Sequence, residues 1–252
     1  MLEIIVISLV QGVTEFLPIS SSAHLVIFSN ILNFTKTNLL FDISLHIGSF
    51  LAVLVYFKNE IIDFINYKSI FFLVLLASIP TIIFGYFLVK FNIAEDLRTL
   101  KIIGWTTLIF GLVLYFADKF KETKNIENHF TFKTCLYIGL SQVLSLIPGV
   151  SRSGITISTS RIIGFDRVNS AKISFLLSLP TLLAVSFYGI FSLNKIQSFS
   201  ISNLNFLGII SSFFFSYFTI LLFIRFIKKF NFLIFVIYRV ILGGIILLYT
   251  YL

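Results

Sequence analysis

Six stretches of this chain are apolar over nearly the distance needed to cross a bilayer: Leu39–Phe57, Ile70–Val89, Ile102–Ala117, Ile173–Leu193, Phe206–Phe226 and Phe232–Leu252. A crossing helix needs ~20 such residues, with a range of ~17–25, so the third reaches full length only by extending into its flanks. Nothing else constrains the fold as tightly. In lipid every backbone N–H and C=O must be satisfied within the protein, which leaves the helix as the solution for segments of this length. The composition agrees. Of 252 residues, 58% are apolar and only 12% are charged, against ~25% charged in an ordinary soluble domain. A soluble enzyme, a nucleic-acid-binding module and a disordered chain are excluded on that ground. The net charge of +8 then reads as basic loops that orient helices, not as a nucleic-acid surface. One cysteine, Cys135, excludes a disulfide framework and a cysteine metal site. The first ten residues carry no Lys or Arg, so the expectation is no cleavable signal peptide and insertion by the spans themselves.

Two further apolar regions are broken. Residues 2–32 are interrupted by QGVTEFLPISSSAH (Gln11 to His24), and residues 134–165 by PGVSRSGITISTSR (Pro148 to Arg161). Each has a short apolar run, a proline, a serine cluster and another short run. Broken helices are tolerated at membrane depth only when buried in protein or lining a wet cavity, so both read as re-entrant hairpins. The expected fold is therefore an all-α polytopic membrane protein, a single integral domain of six transmembrane helices plus two re-entrant helical hairpins. Its halves are residues 1–117 and 134–252, joined by a polar linker over 118–133. Three crossings per half is odd, so the second half inserts upside down, and inverted-topology repeats of this kind place their sites where interrupted segments meet.

Lys and Arg counts set the orientation. Lys36, Lys90, Arg98, Lys101 and Lys195 fall on the side of the N-terminus. Lys58, Lys68, Lys119, Lys121, Lys124, Lys133, Arg225, Lys228 and Lys229 fall on the other, which is then cytoplasmic. Both termini and the base of the first hairpin face outward.

Ionisable groups inside apolar segments are costly and mark function by default. Gln11 and Glu15 are i and i+4, on one face of a helix that Pro18 ends. That points an acid and an amide at the break, as a metal ligand or a general base; the plainer alternative is a carboxylate solvated among headgroups. Ser20, Ser21, Ser22 and His24 follow. Serines cap helix N-termini, which bind phosphate, and a hydroxyl beside an imidazole can supply a nucleophile and its base; a capped helix with a hydrogen-bonded histidine is the alternative. In the second break Ser151, Ser153 and Thr156 surround Arg152, whose planar fork suits phosphate oxygens. With no acid in its own motif, Arg152 needs either Glu15 of the other hairpin or an anionic substrate. Asp42 and His46, again i and i+4, either line the same cavity or pair with each other. Arg161, Asp166 and Arg167 read as the wet boundary of the second hairpin, and Arg239 as a residue that pairs or snorkels.

At these two motifs the sequence resembles the undecaprenyl-diphosphatase family, also called the bacitracin-resistance protein family. The likeness continues through FDISLHIGSFLA (Phe41 to Ala52) and FVIYR (Phe235 to Arg239), so it covers essentially the whole chain. It implies hydrolysis of undecaprenyl diphosphate to undecaprenyl phosphate in the bacterial cytoplasmic membrane, which recycles the lipid carrier for peptidoglycan synthesis and lowers bacitracin sensitivity. Carried over by motif, Glu15 matches the family's essential acid, His24 its histidine, Ser21 a nucleophilic or phosphate-binding serine and Arg152 its essential arginine. Ser20, Ser22, Ser151, Ser153 and Thr156 are then candidate substrate-binding residues, and a divalent cation, Mg²⁺ or Ca²⁺, is the implied cofactor. Gln11 stands where some members carry Glu, which leaves Glu15 as the main metal ligand, and His46 stands where some carry Gln. The rival class is a lipid-phosphate flippase or anion carrier, which needs Arg152 and the hydroxyls but gives no role to the acid and histidine beside them. A structural scaffold leaves the buried ionisable groups without a role. The expected partners are the polyprenyl substrate and membrane lipids, with no nucleic acid. Gly243-Gly244 offers a small-residue face for a second copy, and the site is expected to open outward.

Overall fold

The computed structural model describes residues 2–32, 39–66, 68–194 and 203–252. Lys36 and Lys195, two of the charges used to assign orientation, lie outside them. The described residues are almost entirely helical, as unbroken apolar segments without water require. The first broken region forms α1 (Leu2–Thr14) and α2 (Ser21–Leu32), joined by a turn over 15–19. The second forms α9 (Phe132–Gln142), a 3-10 turn (Val143–Leu146) and α10 (Arg152–Ile163). The long helices are α3 (Leu39–Tyr56), α5 (Lys68–Lys90), α7 (Leu100–Asp118), α11 (Arg167–Asn194), α12 (Asn203–Ile227) and α13 (Leu233–Tyr251). Five of these six are long and apolar enough to cross a membrane. The exception, α3, has 18 residues and a helical length of about 27 Å. As expected, α7 gains its length from both flanks.

Short helices occupy the stretches between the long ones: α4 (Lys58–Asn66) follows α3, α6 (Ile93–Asp96) precedes α7, and α8 (Ile126–His129) lies within the polar linker over 118–133. Ile126 and Phe130 enter the main core, so part of 118–133 is packed and not merely solvated.

Helix pairing is reciprocal between the halves. The first hairpin's α1 packs on α12, and the second hairpin's α9 packs on α5; α3 packs on α12 and α11, and α7 on α13. Close approach at both hairpin seams uses glycine. A Cβ at Gly12 would lie 2.7 Å from Phe215 Cβ on α12, and one at Gly139 would lie 2.4 Å from the Ala77 carbonyl on α5.

The hairpins enter from opposite ends of the bundle. The base of the first lies by Phe41 and Leu100, through the clusters Ile4–Ile7–Phe41 and Val26–Ile27–Leu100. The base of the second is tied to the 118–124 segment, where Thr123 and Lys124 N–H groups donate to Gly164 O at 2.9 and 3.0 Å. Arg161 holds that end. It is 1% exposed, so it is not at a wet boundary. It donates to the carbonyls of Phe165, Asp118 and Phe120 and pairs with Glu122 at 3.1 Å, while Arg167 clamps the Asp118 carboxylate with both Nε and Nη2. Of the Gly243-Gly244 pair, Gly243 is spent inside the chain against Gly104 and Leu108 of α7, and only Gly244 faces open space.

Candidate active site

The two hairpin tips meet in the middle of the bundle. Ser20 and Ser151, each the residue just before the second helix of its hairpin, both carry positive φ, 76° and 73°. Non-glycine residues adopt this conformation only when their surroundings impose it. Here hydrogen bonds between and within the tips do so. Gly149 N–H donates to Ser20 Oγ at 3.2 Å, Ser153 Oγ donates to Leu17 O at 2.8 Å, and Gly154 N–H donates to Ser151 Oγ at 3.1 Å, capping α10.

Arg239 of α13 ties the tips together from behind. It is fully buried and faces no carboxylate among the described residues. Its Nη1 donates to Pro18 O at 3.1 Å, its Nη2 to Gly149 O at 2.8 Å and Val150 O at 3.1 Å, and its Nε to Thr107 O at 3.2 Å. It neither pairs with an acid nor snorkels. Five N–H donors in a fixed fork serve peptide carbonyls of both turns, groups that a kinked backbone at membrane depth leaves without helical partners.

In front of this staple lies the ionisable cluster. Arg152 Nη2 meets Glu15 Oε1 at 2.7 Å across the two hairpins, with side chains 12% and 8% exposed. The other carboxylate oxygen, Oε2, accepts from Ser21 Oγ at 2.7 Å and from Gln11 Nε2 at 3.2 Å. Gln11 gives its second amide hydrogen to His46 Nδ1 at 3.2 Å. His46 therefore lines the site through Gln11, and no hydrogen bond joins it to Asp42 among the described residues. Arg152 Nη1 also reaches Ser174 O at 3.3 Å. Ser21 is half-buried and Ser22 exposed, so the cluster is reachable.

His24 is held differently from the expectation. Its Nδ1 bonds Ser20 O at 2.7 Å. A carbonyl only accepts, so Nδ1 carries the proton and Nε2 accepts from the Tyr238 hydroxyl of α13. No hydrogen bond links His24 to Ser21 among the described residues; the group that receives the Ser21 hydroxyl is Glu15. Ser153 and Thr156 make hydrogen bonds within the protein. Both are buried, Ser153 donating to the opposite tip and Thr156 to Ser174 Oγ at 2.8 Å. Ser151 Oγ bonds Ser153 Oγ at 3.2 Å. These hydrogen bonds hold the hairpin in shape. Tyr238 and the stapling role of Arg239 were missed by residue-type reasoning, although both belong to the FVIYR segment quoted above.

Among the described residues no three His, Cys, Asp or Glu side chains gather, so the protein alone supplies no metal cage. The donors that are present still suit a hard cation. Gln11 Oε1 is buried with no hydrogen-bond partner, one helical turn from the Glu15 carboxylate. One carboxylate and one amide oxygen, completed by phosphate oxygens and water, match the ligand preferences of Mg²⁺ and Ca²⁺.

Comparison with known proteins gives the family. The family described as "Bacitracin resistance protein BacA" matches residues 4–245. An undecaprenyl-diphosphatase of Pelagibacter ubique (strain HTCC1062) is 48% identical over 252 residues, covering 99% of this chain and 98% of the relative. Proteins of the same name from Campylobacter curvus (strain 525.92) and Jannaschia sp. (strain CCS1) are 44% and 38% identical, each over 97% of both chains. With a match spanning nearly every described helix, the chain belongs to the bacitracin resistance protein BacA family.

Proposed function

We propose that this chain hydrolyses undecaprenyl diphosphate to undecaprenyl phosphate and inorganic phosphate where the hairpin tips meet. The observation that carries the reading is the Ser21–Glu15–Arg152 constellation. It sets a hydroxyl nucleophile and a phosphate-binding guanidinium each within hydrogen-bond reach of the carboxylate that takes the hydroxyl proton. A carrier has use for the arginine and none for a hydroxyl aimed at a buried carboxylate.

The terminal phosphate enters beside Arg152, which exchanges part of its contact with Glu15 for phosphate oxygens. Ser21 Oγ attacks the terminal phosphorus as its proton passes to Glu15 Oε2. The Oγ–P bond forms, the P–O bond to the bridging oxygen breaks, and undecaprenyl phosphate departs with that electron pair. Water then attacks the phosphoserine phosphorus as the Oγ–P bond breaks; Ser21 Oγ recovers the proton held by Glu15, the water's proton passes to His24, and inorganic phosphate leaves. His24, fixed by Ser20 O and Tyr238, lies one helical turn from Ser21 and serves proton movement in this second half. A divalent cation, Mg²⁺ or Ca²⁺, held by Glu15, Gln11 Oε1 and diphosphate oxygens would supply neutralisation of charge on the phosphoryl oxygens. Ser20, Ser22 and the N–H groups at the start of α2 complete the phosphate contacts.

The same reading takes residues 1–117 and 134–252 as inverted halves joined by 118–133, supported by the reciprocal packing. It places the chain in the bacterial cytoplasmic membrane with the site open outward, supported by the charge distribution. A Ser22→Cys variant then reacts with a membrane-impermeant thiol reagent in intact cells; reaction only in inverted vesicles contradicts the orientation. Gly244 is the small residue left open for a second copy. The phosphoserine step is tested by acid quenching during turnover of substrate labelled in the terminal phosphate. Label retained on Ser21 supports it, and release of free phosphate alone, with Ser21→Ala still active, refutes it.

A further inference from the structure

One apolar groove on the protein does not open onto Glu15. It has a volume of about 790 Å³ and lies between α1, α12 and α13, floored by Val13, Leu17, Leu222, Phe226, Ile234 and Phe235. Val13 is two residues from Gln11 on α1 and so lies on the opposite face, and Leu17 follows in the turn beyond Glu15, so the groove backs the segment that presents the acid. Its rim carries Arg225, Lys228 and Lys229, all exposed. The nearby acids are already engaged, Asp118 by Arg161 and Arg167 and Glu60 by Lys172. Among the described residues none of the three rim cations is in an ion pair.

Length distinguishes the possible occupants. From Thr219, a lining residue, to its end at Ile227 α12 advances about 12 Å, a little under half the ~30 Å hydrocarbon core, and Lys228 and Lys229 follow in the turn. The groove thus spans one leaflet. It has an apolar floor that reaches the hairpin tip at Leu17 and a cationic rim at headgroup depth, on the membrane face opposite the N-terminus. Basic pockets between transmembrane helices recognise anionic lipid headgroups, and a volume in the ~300–1,000 Å³ range holds a chain-sized ligand.

We propose that this groove is a binding site for a membrane phospholipid with an anionic phosphate headgroup. One acyl chain lies along Val13, Leu17 and Ile234, and the phosphate is met by Arg225, Lys228 and Lys229. The site is separate from the hydrolytic one and does not rest on the diphosphatase reading. Its occupant buttresses α1 from behind.

The test is native mass spectrometry of the whole protein released from detergent, titrated with phosphatidylglycerol or phosphatidylcholine. The expected result is one retained phosphatidylglycerol, at least tenfold tighter than phosphatidylcholine. Arg225→Gln/Lys228→Gln/Lys229→Gln lies on the exposed rim and leaves the core untouched. It weakens phosphatidylglycerol about a hundredfold, at about fivefold per charge, and abolishes the preference. Val13→Phe fills the floor and weakens both lipids without touching the rim. Equal retention of the two lipids by the unmodified protein overturns the proposal, as does unchanged phosphatidylglycerol binding by the triple variant. Full displacement of the lipid by inorganic phosphate also overturns it, since the rim would then read free phosphate and the groove would contribute nothing.

Discussion

Replacing Arg239 by methionine tests whether the meeting of the hairpins is built or incidental. The guanidinium donates four hydrogen bonds, to Thr107, Pro18, Gly149 and Val150 carbonyls. Hydrogen bonds to a charged group contribute ~1.5–3 kcal/mol each. Four of them cannot be summed, because methionine also removes the cost of burying a cation, and water can reach some of the freed carbonyls. Taking ~1 kcal/mol net for each carbonyl left without a donor gives a loss of about 4 kcal/mol. For a chain of this size ~2–4 °C is lost per kcal/mol, so the melting midpoint falls by about 10 °C. The assay is thermal unfolding in detergent run beside phosphate release from undecaprenyl diphosphate. Arg239→Lys, whose single ammonium reaches one tip at most, is expected to recover part of the stability and little of the rate. An Arg239→Met protein with an unchanged midpoint and full activity would refute the reasoning.

Three further outcomes follow from the same geometry. Glu15→Gln keeps the shape beside Ser21 but lacks the charge that takes its proton, so the rate of phosphate release falls ~10²–10⁴-fold. Arg152, freed from its carboxylate, then binds a non-hydrolysable diphosphate analogue at least as tightly in equilibrium titration without divalent cation, and loss of that binding would contradict the assignment. Thr156→Val leaves KM unchanged because its hydroxyl is spent on Ser174, and costs about 1 kcal/mol of stability; a raised KM would return Thr156 to the substrate. Gly139→Ala puts a methyl 2.4 Å from the Ala77 carbonyl and forces α9 from α5 at a cost of ~1–3 kcal/mol, visible as a lower melting midpoint than that of Gly244→Ala, where nothing lies within 4 Å.

Much of this arrangement was legible in residue types and their spacing. The two proline–serine breaks announced the hairpins, because apolar runs too short to span must be buried by something else. Arg152 without a local acid announced a partner, and of the two weighed, Glu15 is the one in contact. Gln11 and Glu15 at i and i+4 do share a face and bond each other at 3.2 Å. What could not be read involves backbone atoms and tertiary direction. The partners of Arg239 are peptide carbonyls from turns far away in sequence, and a carbonyl leaves no mark on residue identity. The hydrogen bonds of Ser153 to Leu17 O and of Thr156 to Ser174 Oγ depend on which turns and helices meet, which residue type does not record. His24 reads in sequence either as a base for Ser21 or as a hydrogen-bonded histidine, and only the three-dimensional arrangement shows its ring held by Ser20 O and Tyr238 while the Ser21 hydroxyl donates to Glu15. The packed part of the 118–133 linker was hidden because Ile126 and Phe130 are isolated apolar residues among charges.

The most direct test of the central claim is inorganic phosphate released from undecaprenyl diphosphate by the purified protein in detergent, with and without Mg²⁺ or Ca²⁺, beside Glu15→Ala and Arg152→Ala. Cation-dependent release that either substitution abolishes is the predicted result. A folded, monodisperse preparation that releases no phosphate, or one whose release survives loss of both Glu15 and Arg152, would contradict a hydrolytic site at the hairpin junction.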